Sequence, residues 1–221
     1  MAQTLKSLFI HHLQAVSPEL AMADIEPLWL DIEQRYTEPH RAYHTLAHLE
    51  FIFAQFAADI TDSESLRQPS LVALALFYHD VIYHVGDKSA TTVASKSNEG
   101  LSADYAAAQL KDWLNLKQIE RIYELILLTE SHQLSDTTDS DAAYLLDLDL
   151  SVLGASWSTY QRYAQAVRFE YQHAPLEAYR LGRTAVLQHL LDHPRLYMTE
   201  RFYTQFEESA RANIARELQT L

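Results

Sequence analysis

The stretch Pro69-Ser-Leu-Val-Ala-Leu-Ala-Leu-Phe-Tyr-His79-Asp80 decides the fold class of this chain. A proline suited to the first turn of a helix precedes eight apolar residues, so the stretch predicts a buried helix. An imidazole and a carboxylate at the end of such a run are costly to bury unless they are paired or bind a cation. The stretch therefore predicts either a hydrogen-bonded His–Asp pair that caps a core helix or a metal site.

The apolar spacing is helical in most of the remaining chain. Residues at three- and four-residue intervals are apolar in ten segments, near 3–16, 20–36, 44–59, 70–83, 98–114, 117–132, 139–153, 157–172, 179–191 and 200–219. Pro18, Pro69, Pro175, Pro194 and Gly154 fall between segments, and no window alternates with the period of a strand. We predict an all-α fold in which residues 1–221 form a single compact helical bundle.

Composition and charge exclude several functions. The net charge of -13 disfavours a protein that tracks a nucleic-acid backbone, and only four glycines argue against Gly-rich phosphate loops. The absence of cysteine rules out thiolate nucleophiles and zinc held by sulfur. No stretch approaches the roughly 20 apolar residues of a membrane span, and the N-terminus lacks a signal-peptide pattern. We expect a cytoplasmic protein without a membrane segment, and the sequence leaves its oligomeric state open.

Two further segments carry candidate metal ligands. In residues 41–48 (RAYHTLAH), a helix would place His44 and His48 on one face, where they can chelate a metal or set a ligand beside a proton donor. Eleven histidines produce such pairs by chance, so this pair alone is a weak indication. In a later apolar segment, Asp147 and Asp149 are two apart and point to different faces. At most one of them is expected to bind a metal, while the other orients an imidazole or caps a helix.

The order of these segments resembles the HD superfamily of metal-dependent phosphohydrolases. A histidine, a His-Asp pair that ends an apolar helix and a later aspartate follow one another as in that superfamily. The resemblance is closest to a subgroup of predicted HD phosphohydrolases of about this length. Seven motifs (RxYH, HDxxY, NExxSA, LDxDLxxLG, RxEY, GRxxxL and ARxN) occur in order at residues 41–44, 79–83, 98–103, 146–154, 168–171, 182–187 and 210–213. One departure is His84, which replaces the usual acidic residue after HDxxY.

The resemblance implies a ligand set of His48, His79, Asp80 and Asp149. Members with an HxxxH opening, including cyclic-nucleotide phosphodiesterases, use the second histidine as ligand and the first beside the leaving group. Members with RxxH would make His44 the ligand instead; we prefer His48 because apolar residues follow it with the usual spacing. Asp149 is preferred to Asp147 on its D-L-S context. The mixed nitrogen and oxygen set suits one divalent ion, with Mn, Mg, Fe, Co, Ni and Zn all compatible.

The resemblance also implies residues for catalysis and substrate binding. His44 is the candidate proton donor. Asn98 and Glu99, at a helix start, are further candidate catalytic residues, of which Glu99 could orient the attacking water. His132 is a candidate substrate contact or ligand of a second ion, and the loop at 84–97 is either a surface loop or a substrate-contacting lid. Arginine binds phosphate bidentately, so we predict a phosphate clamp of three arginines from the motifs: Arg41, Arg168 and Arg183.

The function predicted from these residues is hydrolysis of a nucleotide or other small phosphate ester through metal-activated water. One alternative is an HD-like module that senses a nucleotide or a metal without turnover. A second alternative is a di-iron oxygenase, because some HD-fold proteins bind two irons in histidine-rich sites. Here His44, His84 and His132 would supply the extra ligands.

Overall fold

The computed structural model describes residues 4–59, 66–86 and 96–221, and it confirms the predicted all-α fold. A short 3₁₀ turn, Ser151–Gly154, follows the seventh of its helices. No residue in the described ranges belongs to a strand, and no helix there is long and apolar enough to cross a bilayer. The helices in chain order are α1 (Leu5–Val16), α2 (Met22–Tyr36), α3 (Leu46–Asp59), α4 (Pro69–Tyr78), α5 (Asn98–Leu110), α6 (Leu116–Leu128), α7 (Ser140–Leu150), α8 (Trp157–Glu170), α9 (Leu176–Asp192) and α10 (Glu200–Leu218).

Helix α4 lies at the centre of the bundle. All eight of its residues from Leu71 to Tyr78 are buried, and it packs against α1, α5, α6 and α7. A helix that is apolar on every face must be covered on every face, which explains why neighbours surround it. The end of α4 therefore places His79 and Asp80 deep inside the protein.

The prediction that this helix continues to residue 83 is wrong, because α4 ends at Tyr78. Side chains from other segments form the hydrogen bonds that backbone N–H groups would have formed if the helix had continued. The guanidinium of Arg41 donates to the carbonyl oxygens of Asp80 (2.8 Å) and Val81 (3.1 Å). Further contacts to the backbone of residues 82–84 come from Ser102, His40 and Asn98. The backbone after the His-Asp pair is thus held in an irregular path.

His44 does not lie on a helix with His48, since α3 begins at Leu46. One carboxylate oxygen of Glu170 accepts the backbone N–H groups of Ala42, Tyr43 and His44, at 2.8 to 3.0 Å. These contacts hold residues 42–44 in a turn. The two imidazoles still lie close, with ring centroids 6.0 Å apart.

A close contact at Gly154 joins the end of the 3₁₀ turn to α10. A Cβ atom there would lie 2.5 Å from the Cβ of Phe206 and 2.9 Å from its backbone oxygen. Only glycine permits this approach. The contact positions α10 against the end of α7, next to the candidate metal ligands. Of the predicted loop at 84–97, residues 87–95 lie outside the described ranges.

Candidate metal centre

Four side chains from separate segments converge beside the end of α4. The Nε2 atoms of His48 and His79 lie 3.3 Å apart, and the Oδ2 atom of Asp80 lies 3.0 Å from His79 and 3.9 Å from His48. The Oδ1 atom of Asp149 lies 3.5 Å from both ring nitrogens. The structure therefore brings together the four ligands implied by the resemblance.

The spacing of His48, His79 and Asp80 is compatible with a shared cation. Neighbouring ligands about 2.1 Å from one ion lie roughly 3.0–3.4 Å apart, close to the distances from His79 to His48 and to Asp80. His48, His79 and Asp80 form a buried group that could hold a metal ion. Two ring nitrogens that face two carboxylates, without a backbone N–H between them, form the donor set expected for a divalent ion.

Local structure fixes His79 more firmly than His48. The Nδ1–H of His79 donates to the carbonyl oxygen of Leu76 at 2.7 Å, which directs the Nε2 atom toward Asp80. The Nδ1 atom of His48 is buried and has no hydrogen-bond partner among the described residues. Its ring instead packs against the ring of Tyr43, with centroids 4.6 Å apart.

The charges of the centre reinforce one another in the absence of an ion. Burial opposes protonation of His79, but Asp80, Tyr36 and Asp149 outweigh it and raise the pKa of His79 well above its usual value. Burial likewise opposes ionisation of Asp149, but His79 and His132 lower the pKa of that carboxyl well below its usual range. Burial lowers the pKa of His48. The centre thus favours ionised carboxylates, the state that binds a cation.

His44 and Glu170 form a hydrogen-bonded pair at the edge of the centre. The Nδ1 atom of His44 donates to Oε2 of Glu170 at 2.8 Å, and its Nε2 atom lies 3.9 Å from Oδ2 of Asp80. Burial opposes protonation of His44, but Asp80 and Glu170 outweigh it and raise its pKa. His48 belongs to the buried group that could hold a metal ion, whereas His44 approaches only Asp80, at 3.9 Å, so the geometry favours His48 over His44 as a metal ligand.

His132 contacts the opposite side of Asp149. Its Nε2 atom donates to Oδ2 of Asp149 at 2.9 Å, so the two carboxylate oxygens of Asp149 face different partners. The backbone of His132 has a φ of 52°, the left-handed region that a non-glycine residue adopts at a cost. Asp149 is thus a hydrogen-bond partner of His132 in this structure, and the predicted roles of His132 as a substrate contact or a ligand of a second ion stay predictions.

Asp147 lies away from the centre, on the opposite side of α7. Its carboxylate accepts the N–H groups of Met198 and Thr199 at 2.7 and 2.8 Å and the hydroxyl of Thr199 at 2.6 Å. These donors precede α10, so Asp147 caps a neighbouring helix. Of the two carboxylates between which the sequence left a choice, only Asp149 faces the imidazoles.

A cavity of about 650 Å³ opens from the centre and is lined by His44, Asp80, His132 and Asp149. Asn98 and Glu99 lie in its wall. The amide of Asn98, however, pairs with the backbone N–H and carbonyl of His84, at 3.1 and 3.2 Å. The amide of Asn98 thus positions the backbone, and its predicted catalytic role stays a prediction. Glu99 remains a candidate at the wall.

The predicted arginine clamp does not form in this structure. The side chain of Arg41 is fully buried and donates to backbone carbonyls and to Glu38, so it holds the His-Asp segment in place. Arg168 donates to the carbonyls of Tyr171 and Ala174 at the end of α8, outside the cavity wall. Arg183 lies in the wall but forms a bidentate pair with Glu217, at 2.8 and 3.0 Å.

Glu170 is a residue of the centre that the sequence prediction missed. It lies within the RxEY motif, in which the sequence prediction assigns a role to the arginine and none to the glutamate. A carboxylate in the last turn of a helix opposes the helix dipole, so the position of Glu170 at the end of α8 could have indicated that it has other partners. Five donors explain its position: three backbone N–H groups, His44 and the hydroxyl of Tyr83.

Comparison of the chain with protein-family models, curated proteins and solved structures finds no match. The assignment to the HD superfamily thus stays a prediction from the seven motifs.

Proposed function

We propose that this protein is an HD-type phosphohydrolase that uses one divalent ion to hydrolyse a small phosphate ester. The convergence of His48, His79, Asp80 and Asp149 beside a cavity that Asp80 and Asp149 line carries this proposal. When bound, the ion supplies Lewis acidity toward a phosphoryl oxygen and a nucleophile at neutral pH.

The pair of His44 and Glu170 supports hydrolysis, because it supplies a proton where the leaving group must depart. Glu170 fixes the proton of His44 on Nδ1 and favours the doubly protonated ring, whose Nε2–H faces the cavity. In the reaction, this Nε2–H donates its proton to the leaving oxygen as the P–O bond breaks. Asn98 and Ser102 hold the backbone after Asp80, and Glu99 faces the cavity where the attacking water approaches.

Two single substitutions test the metal site. His79→Ala and Asp80→Ala should each abolish the bound ion and lower metal-dependent hydrolysis of phenyl phosphate by at least about a thousandfold, without loss of the helical circular-dichroism signal. His11→Ala and Asp24→Ala remove the same side chains from exposed positions and should keep both metal and activity. Hydrolysis that persists in both site variants would refute the proposal, and tight ligand binding without turnover would favour the sensing module.

A leaving-group comparison tests the proton donor. His44→Gln should slow hydrolysis of alkyl phosphates by about a hundredfold or more, since an alkoxide needs protonation as it leaves. It should slow 4-nitrophenyl phosphate far less, because nitrophenolate leaves without a proton. Equal losses for both esters would show that His44 has another role. Glu170→Gln, which alters the residue that positions His44, should shift the pH profile in the same direction.

A further inference from the structure

Part of the cavity wall away from the metal centre is apolar. Helix α9 contributes Ala178, Val186 and Leu190, and the 3₁₀ turn contributes Val152 and Leu153. Val186 is 53% exposed, a high value for an aliphatic side chain beside a cavity. Apolar surface that faces cavity water favours a ligand group that displaces this water.

The charges in the wall disfavour a second anionic group. Asp80, Asp149 and Glu99 make the wall acidic near the centre. Within the described ranges, Arg183 is the only lysine or arginine in the wall, and its guanidinium is already bound to Glu217 and to the hydroxyl of Tyr163. Among the described wall residues, a second phosphate would meet carboxylates or apolar surface and no free lysine or arginine, which is costly.

We propose that the substrate carries a single phosphoryl group on a bulky, uncharged and largely apolar alcohol. The inference rests on the proposed phosphohydrolase function and adds the substrate class to it. The metal centre would hold the phosphoryl group, and the wall formed by α8, α9 and the 3₁₀ turn would hold the apolar group. Polyphosphate nucleotides and phosphorylated sugars would then be poor substrates.

Three alkyl phosphates with the same type of ester bond test this substrate class on the Mn²⁺-loaded protein: ethyl phosphate, n-hexyl phosphate and hexane-1,6-diyl bisphosphate. Their leaving alcohols have similar basicity, so kcat/KM reports binding of the remote group. We expect n-hexyl phosphate to exceed ethyl phosphate by at least about tenfold, the effect of burying several methylenes. The bisphosphate should fall to the level of ethyl phosphate or below.

Gly182 offers a way to fill the cavity without disturbing the core. It lies in the wall on α9, and a Cβ atom there would meet nothing within 4 Å. Gly182→Met should therefore lower the hexyl-to-ethyl ratio of kcat/KM by about tenfold. Thr184→Met places the same side chain at an exposed position of α9 outside the wall and should keep the wild-type ratio.

Binding separates this inference from the proposed function. In calorimetry, n-hexylphosphonate should bind the Mn²⁺-loaded protein at least about tenfold more tightly than ethylphosphonate, with a more negative heat-capacity change. Hydrolysis without a hexyl preference, or faster hydrolysis of the bisphosphate, would overturn the inference alone. Hexyl-selective binding without hydrolysis of any ester would overturn only the proposed function. Neither hydrolysis nor selective binding would overturn both.

Discussion

Two aspartates of α7 lie two residues apart and have opposite surroundings: Asp147 is fully buried, whereas Asp149 is half-buried. Asp149 faces the imidazoles of His48, His79 and His132. Asp147 faces the seam between α7 and α10, where fixed N–H groups and a hydroxyl surround it. Burial raises the pKa of Asp147 to about 6, whereas the imidazoles lower that of Asp149 well below its usual range.

The seam shows that a buried carboxylate alone does not identify a functional site. Elsewhere on α10, Glu207 accepts the N–H groups of Leu196 and Tyr197, and Glu217 binds Arg183 of α9. Fixed donors supply hydrogen bonds to these carboxylates, and these hydrogen bonds hold neighbouring segments together. At the candidate metal centre, the Nε2 atoms of His48 and His79 lie 3.5 Å from Oδ1 of Asp149, which is too far for good hydrogen bonds. This separation leaves room for a cation between the three atoms.

The largest expected difference between the two regions is in metal content and hydrolysis when each aspartate is replaced in turn. Asp149→Ala should remove the bound ion and lower hydrolysis of phenyl phosphate by about a thousandfold or more, because a ligand is lost. Asp147→Ala should retain one ion per chain. Elemental analysis and steady-state kinetics measure both effects. Loss of metal in Asp147→Ala with Asp149→Ala unaffected would reverse the assignment of the two aspartates.

The effects of these two substitutions on the free energy of unfolding should have the reverse order. Asp147→Ala should lower the free energy of unfolding by about 2–4 kcal/mol, since it removes a helix cap and leaves two backbone N–H groups unpaired. Asp149→Ala should cost less in the metal-free protein, because no backbone donor depends on it. Urea unfolding in the presence of a chelator measures the difference. A cost below about 1 kcal/mol for Asp147→Ala would show that the seam does not depend on this cap.

The sequence predicted the helices well because apolar periodicity is a local property of the chain. The ends of the helices depend on distant groups and were harder to predict. Arg41 and Ser102 stabilise the irregular backbone after Asp80, and Glu170 stabilises the turn at His44. No local pattern indicates that a side chain far along the chain will supply these hydrogen bonds.

The candidate site was predictable in its ligands but not in its arginines. His79, Asp80 and Asp149 are polar residues in apolar segments, and the cost of burying them identifies them as candidate site residues. No comparable sequence pattern identifies the role of an arginine. Whether Arg41 or Arg183 faces a substrate or a backbone carbonyl depends on packing, and here both are bound within the protein.

His12 provides a histidine that lacks carboxylate partners, in contrast to His79. It is buried, its Nδ1 atom lies 3.2 Å from the hydroxyl oxygen of Ser70, and burial lowers its pKa to about 4. The unfolded chain takes up this proton below pH 6.5 and the folded protein does not, so stability is present above pH 6.5 and is lost as the pH falls toward 4. We expect a loss of about 2 kcal/mol between pH 7 and pH 5 from this group.

Urea titrations of the wild type and of His12→Leu at both pH values test this expectation. Other groups, including those of the metal centre, contribute equally to both proteins and cancel in the difference. The variant should lose about 2 kcal/mol less than the wild type over this interval. Equal slopes in the two proteins would show that His12 is protonated in the folded state.

The smallest expected effect distinguishes a glycine of the cavity wall from a glycine of the seam. Gly182 lies inside α9, has no positive φ, and leaves open space where a Cβ would be. Gly182→Ala should therefore raise the free energy of unfolding by about 0.5–1 kcal/mol through helix propensity. Gly154→Ala should lower it, because the new methyl group would collide with Phe206. Thermal unfolding of both variants measures the two signs, and stabilisation by Gly154→Ala would mean that α10 packs less closely on the turn than the structure shows.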